Sequence, residues 1–189
     1  MHKTPDTKGK LVVISGPSGV GKSTIVRRVI ARLEDTYLSI SATTRPKSAS
    51  EQNGKDYWFI SRDEFEAKIQ RGEFLEYAEV FGNYYGTPGE KVEAQLREGK
   101  NVILEIDVQG GVQVKQKRPD AVMVFILPPD EKALEERITG RGRDDEKTAQ
   151  KRLSLAKEEI KTGRENYEHF VTNDKLEDAV NEVVGIINR

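Results

Sequence analysis

Apolar positions along this chain fall into short unbroken runs and helix-spaced stripes. Leu11–Ser15 (LVVIS) is an unbroken, largely β-branched run, the pattern of a strand buried on both faces. A glycine-rich segment, 16–21, follows it. Ile25, Val26, Val29, Ile30 and Leu33 then recur at helical spacing, predicting a helix over Ser23–Leu33. Further strands are expected at Tyr37–Ala42, at Tyr57–Ile60 and, around turns, in Phe74–Phe81 and the GNYYGTP segment after it. Ser61 and Glu64 form an S-x-x-E capping box that opens a helix with Phe65 and Ile69 inward and Gly72 at its end. Gly89–Glu98 is a second helix through Val92 and Leu96. Asn101–Val108 is a strand that begins apolar and ends acidic, and Ala121–Leu127 is a buried strand stopped by Pro128-Pro129. Helices are expected over Asp130–Thr139, over Asp144–Lys161 with Leu153, Ala156 and Ile160 on one side, and over Leu176–Ile187, with a strand at Phe170–Thr172.

Buried strands alternating with helices predict an α/β fold whose parallel sheet carries helices on both faces. Residues 43–88 break that rhythm and read as an inserted β-rich lobe. Residues 140–152, rich in Arg and Asp, read as a short charged helical flap. The expected core is 10–42, 89–139 and 153–189, all within one domain of 189 residues.

Composition narrows the function. Lys and Arg number 31 against 32 Asp and Glu, a formal net charge of -1, which disfavours a nucleic-acid binder. With 0 cysteines there is no disulfide, Cys-ligated zinc or Cys nucleophile. His2 and His169 are the only histidines, too few for a His-based metal site or triad. The longest apolar run, Ala121 to Leu127, is far too short to span a bilayer, and the polar first ten residues lack the apolar segment of a signal peptide. A soluble cytoplasmic protein without a membrane partner is expected.

The strongest chemical signal is Gly16-Pro17-Ser18-Gly19-Val20-Gly21-Lys22-Ser23, followed by Thr24. It fits G-x-x-x-x-G-K-[ST] between a buried strand and a helix, so backbone N–H groups and a helix N-terminus can cradle phosphates. Lys22 supplies a point charge to the terminal phosphates, and Ser23 can hold Mg²⁺. ATP with Mg²⁺ is the expected ligand. Asp107-Val108-Gln109-Gly110 fits D-x-x-G, but Gly111 rather than Gln follows it and no N-K-x-D guanine-reading segment is present, which weakens a GTPase. Glu105 and Asp107 at a strand end lie where open α/β sheets bind ligands, although a solvated strand end would look the same.

With GPSGVGKS (16–23), SATTRP (41–46), NGKDY (53–57), EFLEYAEVFGNYYGTP (73–88), ILEIDVQG (103–110) and RITGRGR (137–143) in this order, the chain resembles the guanylate kinases over nearly its whole length. The resemblance implies transfer of the γ-phosphoryl group of ATP to GMP. It also implies that the inserted lobe 43–88 binds GMP and that 140–152 is a lid. Glu76 matches the guanine-reading carboxylate, and Ser41 and Thr87 match hydroxyls near O6. Arg45, Tyr57 and Tyr85 match the phosphate donors, and Gly86, Glu105 and Asp107 complete the GMP set. Arg137, Arg141 and Arg152 match the lid arginines, and Asn173 is placed near the adenine. Taken alone, Glu76 would read as a surface charge, the tyrosines as packing and Asn173 as a turn residue.

One departure stands out. Ser48, with Lys47 beside it, occupies the place of a second arginine, which predicts weaker GMP binding than an arginine would give. The rival to an enzyme is a guanylate-kinase-like protein-binding module without turnover. Such modules have eroded phosphate loops, whereas this chain keeps the whole loop. The amphipathic C-terminal helices fit packing on the core or on a second subunit, leaving monomer and homo-oligomer open.

Overall fold

The structure, a computed structural model, describes residues 9–80, 82–139 and 146–189. The chain packs as two compact units. One contains 12–34, 105–108 and 122–189; the other contains 35–104 and 109–121 with residues up to Leu11.

The first unit is built on a parallel sheet of β1 (Leu11–Ser15), β8 (Val122–Leu127) and β9 (His169–Thr172). Val12 to Ser15 lie beside Val122 to Phe125, and Val124 to Leu127 beside His169 to Thr172. All of β1 is buried, as an unbroken apolar run requires when both faces are covered. Helix α1 (Lys22–Ile30) buries Ile25, Val26 and Val29, and helix α7 (Leu176–Ile187) buries Ala179, Val180, Val183, Ile186 and Ile187. These two apolar stripes pack together. At their rim Arg28 and Arg32 pair with Glu177, an exposed set that adds little beside the apolar burial. Helix α5 (Glu131–Thr139) is capped by Asp130, whose Oδ1 accepts from Ala133 N at 2.7 Å. It packs Leu134 against Ala156, Leu153 and Ile160 of helix α6 (Glu146–Asn166).

The second unit holds two strand sets. β2 (Thr36–Leu38) runs parallel to β7 (Asn101–Glu105), with Tyr37 beside Val102. A separate four-stranded sheet has the order β4 (Trp58–Phe59), β3 (Ala42–Thr43), β6 (Asn83–Pro88), β5 (Phe74–Val80). One face of this sheet is closed by helix α2 (Arg62–Gln70). There Phe65 stacks on Phe74 and Tyr84, with ring centroids 4.3 and 5.2 Å away. The expected capping box is present at the entry to α2, with Glu64 N donating to Ser61 Oγ at 3.1 Å. Helix α3 (Gly89–Arg97) follows β6 and buries Val92 and Leu96.

Three expectations need correction. The strand expected over Tyr37–Ala42 is two strands in different sheets, β2 and β3. The strand expected over Asn101–Val108 ends at Glu105, and Val108–Lys117 forms a helix, α4, that the apolar pattern did not predict. Gly110 and Gly111 are buried on the same side as Val114, so part of this helix's inward face carries no side chain and leaves no periodic signal. Finally, the helix expected over Asp144–Lys161 runs on to Asn166.

Candidate active site

In the unit built on β1, the chain leaves the sheet at Ser15 and turns through 16–21 into α1. Gly21 has φ 97°, and a Cβ there would lie 2.7 Å from Asn173 Nδ2, so only glycine fits. Asn173 is buried and braces the loop: its Nδ2 donates to Val20 O at 2.8 Å, while its own N–H donates to Leu127 O at 2.8 Å. Arg137 joins the same two segments, donating to Val20 O at 3.2 Å and Asn173 O at 3.0 Å. The resemblance matched Asn173 to a place near the adenine and Arg137 to the lid arginines. Here both also hold the phosphate loop.

Lys22 folds its ammonium toward the loop, donating to Gly16 O at 2.5 Å and Pro17 O at 3.4 Å. Burial pushes its pKa down, while the carboxylates of Glu159, Glu105 and Asp107 push the other way. Ser23 Oγ donates to Glu105 Oε1 at 2.5 Å. The acidic strand end is fixed by a buried relay: Tyr167 OH donates to Ser15 Oγ at 2.7 Å, and Ser15 Oγ donates to Ile106 O at 2.9 Å, with Asp107 O at 3.3 Å. Helix α6 reaches Ser18 twice. Arg152 Nη2 donates to Ser18 Oγ at 3.0 Å, and Ser18 N donates to Glu159 Oε2 at 3.3 Å. Burial raises the Glu159 pKa, against the opposing pull of Lys22. Thr24 is exposed in the first turn of α1. Arg141 lies outside the described residues.

In the other unit, a register irregularity between Phe74 and Glu76 aims the sheet. Phe74 pairs with Pro88 and Glu76 with the adjacent Thr87, so Leu75 is the extra residue of a bulge. Phe74 therefore turns into the core beside Phe65, and Glu76 turns to the opposite face. Pairing of Ala78 with Tyr85, Thr43 with Tyr85 and Thr43 with Phe59 carries that face across the sheet. By two-residue alternation it holds Glu76, Thr87, Tyr85, Thr43, Ser41, Phe59 and Tyr57. Gly86 lies on the packed side, where Phe65 Cζ would be 3.0 Å from an added Cβ.

Glu76 is only 3% exposed, and Thr87 Oγ1 donates to its Oε1 at 2.6 Å. An ionised carboxylate only accepts, so the single Thr87 proton belongs to Glu76. Thr87 thus orients the carboxylate. Arg45 sits over the rings of Tyr57 and Phe59, 5.5 and 5.7 Å from their centroids. Glu51, which the sequence pattern did not single out, receives the Arg45 fork at 2.6 and 3.1 Å. That contact, helped by the nearby Tyr85 and opposed by burial, shifts the Arg45 pKa up, and it holds the Glu51 carboxyl at about 2. Ser48 and Lys47 turn toward Glu51 as well: Ser48 N and Oγ both donate to Glu51 Oε2 at 2.8 Å, and Lys47 Nζ to Glu51 O at 3.0 Å.

No helix among the described residues is long and apolar enough to cross a membrane. No group of three or more His, Cys, Asp or Glu side chains among them could hold a metal ion.

Comparison with known proteins identifies the family. The family model described as guanylate kinase matches residues 8–189. A guanylate kinase of Clostridium perfringens is 46% identical over 187 residues, covering 99% of this chain and 85% of the relative. One from Lactococcus lactis is 50% identical over 180 residues, covering 95% and 87%. The crystal structure of guanylate kinase from Anaplasma phagocytophilum superposes with a TM-score of 0.78 at 32% identity, covering 96% of this chain and 86% of that one. A family model matching residues 8–189 and relatives 46–50% identical over 95–99% of the chain leave one conclusion: the chain belongs to the guanylate kinase family.

Proposed function

We propose that the chain transfers the γ-phosphoryl group of ATP to GMP, giving ADP and GDP. The observation that carries this reading is Glu76, a buried carboxylate oriented by Thr87 on the sheet face that also bears Ser41, Tyr57 and Tyr85. Guanine presents N1–H and N2–H₂ donors side by side, and one carboxylate accepts from both. Adenine would set its N1 lone pair against the same oxygens, so the site selects by repulsion as well as attraction. Ser41, with Thr87 close by, meets O6. Arg45, with the Tyr57 and Tyr85 hydroxyls, binds the GMP phosphate.

The 16–23 loop binds the ATP phosphates, with Thr24 continuing the first turn. In the reaction a GMP phosphate oxygen bonds to the γ-phosphorus as the bond from that phosphorus to the β,γ-bridging oxygen breaks, and the electron pair leaves with ADP. Such a transfer needs positioning and neutralisation of charge rather than a protein nucleophile. Lys22 supplies a cation at the loop, and Arg141 and Arg152 supply guanidinium groups that also exclude water. Arg137 holds the loop through Val20 O and adds a third guanidinium to those of Arg141 and Arg152, and Asn173 braces the loop and lies beside the adenine. The Ser23 hydroxyl with the Glu105 and Asp107 carboxylates is a hard-oxygen set that fits Mg²⁺, an ion that usually keeps its waters and the substrate's phosphates as its other ligands. When bound it would neutralise charge on those phosphates. An enzyme of nucleotide metabolism is expected in the cytoplasm, with its substrates.

A binding-only module has no need of Lys22 or of the α6 contacts to Ser18. Lys22→Ala should lower GMP-dependent ADP formation by about 10²-fold or more while leaving the circular dichroism spectrum intact. Near-full activity in that variant would reject the assignment.

A further inference from the structure

On the assignment of Arg45 to the GMP phosphate, we propose that Glu51 is the positioning residue for Arg45 and sets the affinity for GMP through it. The guanidinium carries five N–H groups in one plane, with an end-on edge (Nη1 and Nη2) and a side-on edge (Nε and Nη2). Glu51 takes the end-on edge with both carboxylate oxygens, at 2.6 and 3.1 Å, and Pro46 O accepts from Nη1 at 3.0 Å. The edge presented to an incoming oxyanion is therefore the side-on one.

The carboxylate that does this is itself fixed. Ser48 donates to Glu51 Oε2 with both its N–H and its hydroxyl, so the 45–51 turn closes around the anion. The pair is also shielded, with side-chain exposures of 30% for Arg45 and 19% for Glu51. With Tyr57 and Phe59 beneath the guanidinium, its plane is defined from below and from one edge before any phosphate arrives. A long, flexible side chain held in its binding geometry loses less entropy on binding, which is where the gain in affinity arises.

The opposite role is physically distinct. If Glu51 were a rival anion occupying the phosphate's place on Arg45, removing its charge would tighten GMP binding. Glu51→Gln keeps the shape but loses the charged fork, so the two roles predict opposite signs.

The experiment is steady-state kinetics of the full chain with GMP and ATP varied in turn, for wild type, Glu51→Gln, Glu51→Asp, Arg45→Lys and the double variant Arg45→Lys/Glu51→Gln. Positioning predicts a GMP KM raised by about 5- to 10-fold in Glu51→Gln, from the cost of immobilising one rotamer-rich side chain. It predicts kcat and the ATP KM unchanged within about twofold, a smaller rise in Glu51→Asp, and no further rise when Glu51→Gln is added to Arg45→Lys, because Glu51 acts only through Arg45. A general structural defect would move kcat and both KM values together. A lowered or unchanged GMP KM in Glu51→Gln, or additive effects in the double variant, would overturn the proposal. If Arg45→Lys alone leaves the GMP KM untouched, the phosphate assignment of Arg45 fails, and the proposal fails with it.

Discussion

Replacing Glu76 with Gln tests the guanine site at its most exposed assumption, that a buried charge is kept there for recognition. The side chain is 3% exposed and takes the Thr87 proton at 2.6 Å. Gln has the same shape, and its carbonyl can still accept from Thr87, so the lobe should fold and stability should change by no more than about 1 kcal/mol. Recognition should suffer far more. Two charge-assisted hydrogen bonds from N1–H and N2–H₂, worth about 1.5–3 kcal/mol each, become one neutral bond and one donor facing a donor. A net loss of about 2–4 kcal/mol corresponds to roughly 30- to 900-fold in kcat/KM for GMP. AMP, no longer repelled by the carboxylate, should lose nothing or gain. The assay is coupled ADP formation at varied GMP and AMP, with melting temperature as the control for folding. A GMP kcat/KM within about threefold of wild type in a well-folded variant would refute the role given to Glu76.

Two further substitutions test packing and the phosphate side. Gly163→Ala adds a methyl 2.4 Å from Phe125 Cε2, within a helix where Ala is otherwise favoured. Overpacking of about 1–3 kcal/mol should outweigh a helical gain of about 1 kcal/mol, lowering the melting temperature by about 2–4 °C per net kcal/mol lost, and a higher melting temperature would contradict the close approach. Ser48→Arg restores a guanidinium next to Arg45 and should lower the GMP KM, by roughly 10-fold for one charge-assisted contact; no change or a rise would show that Ser48 costs nothing there.

Much of this was legible in the sequence because it is local. The phosphate loop, the Ser61–Glu64 capping box and the α7 stripe each lie within one turn or one periodic segment, where spacing carries the information. Helix α4 was not legible, because Gly110 and Gly111 leave its buried face without side chains. The break between β2 and β3 was hidden inside one run, Tyr37–Ala42, whose two ends hydrogen-bond to different sheets. Glu76 was found through resemblance, but its aim depends on a bulge at Leu75 that no propensity announces. Glu159 meets Ser18 across 141 positions, and Tyr167 meets Ser15 across 152, so neither had a local signature. Glu51 did have one in retrospect. Arg45, Lys47 and Ser48 precede it in a short polar segment, a cluster of donors that calls for one acceptor.

The most direct test of the central claim is ADP formation by the wild-type chain with ATP and Mg²⁺ and, in separate reactions, GMP, AMP, CMP and UMP. A site built on Glu76, Thr87 and Ser41 predicts rapid turnover with GMP and at least about 10²-fold lower kcat/KM with each of the others. Comparable turnover with AMP, CMP or UMP would contradict guanine reading by Glu76, and ATP binding without turnover of any monophosphate would contradict phosphoryl transfer itself.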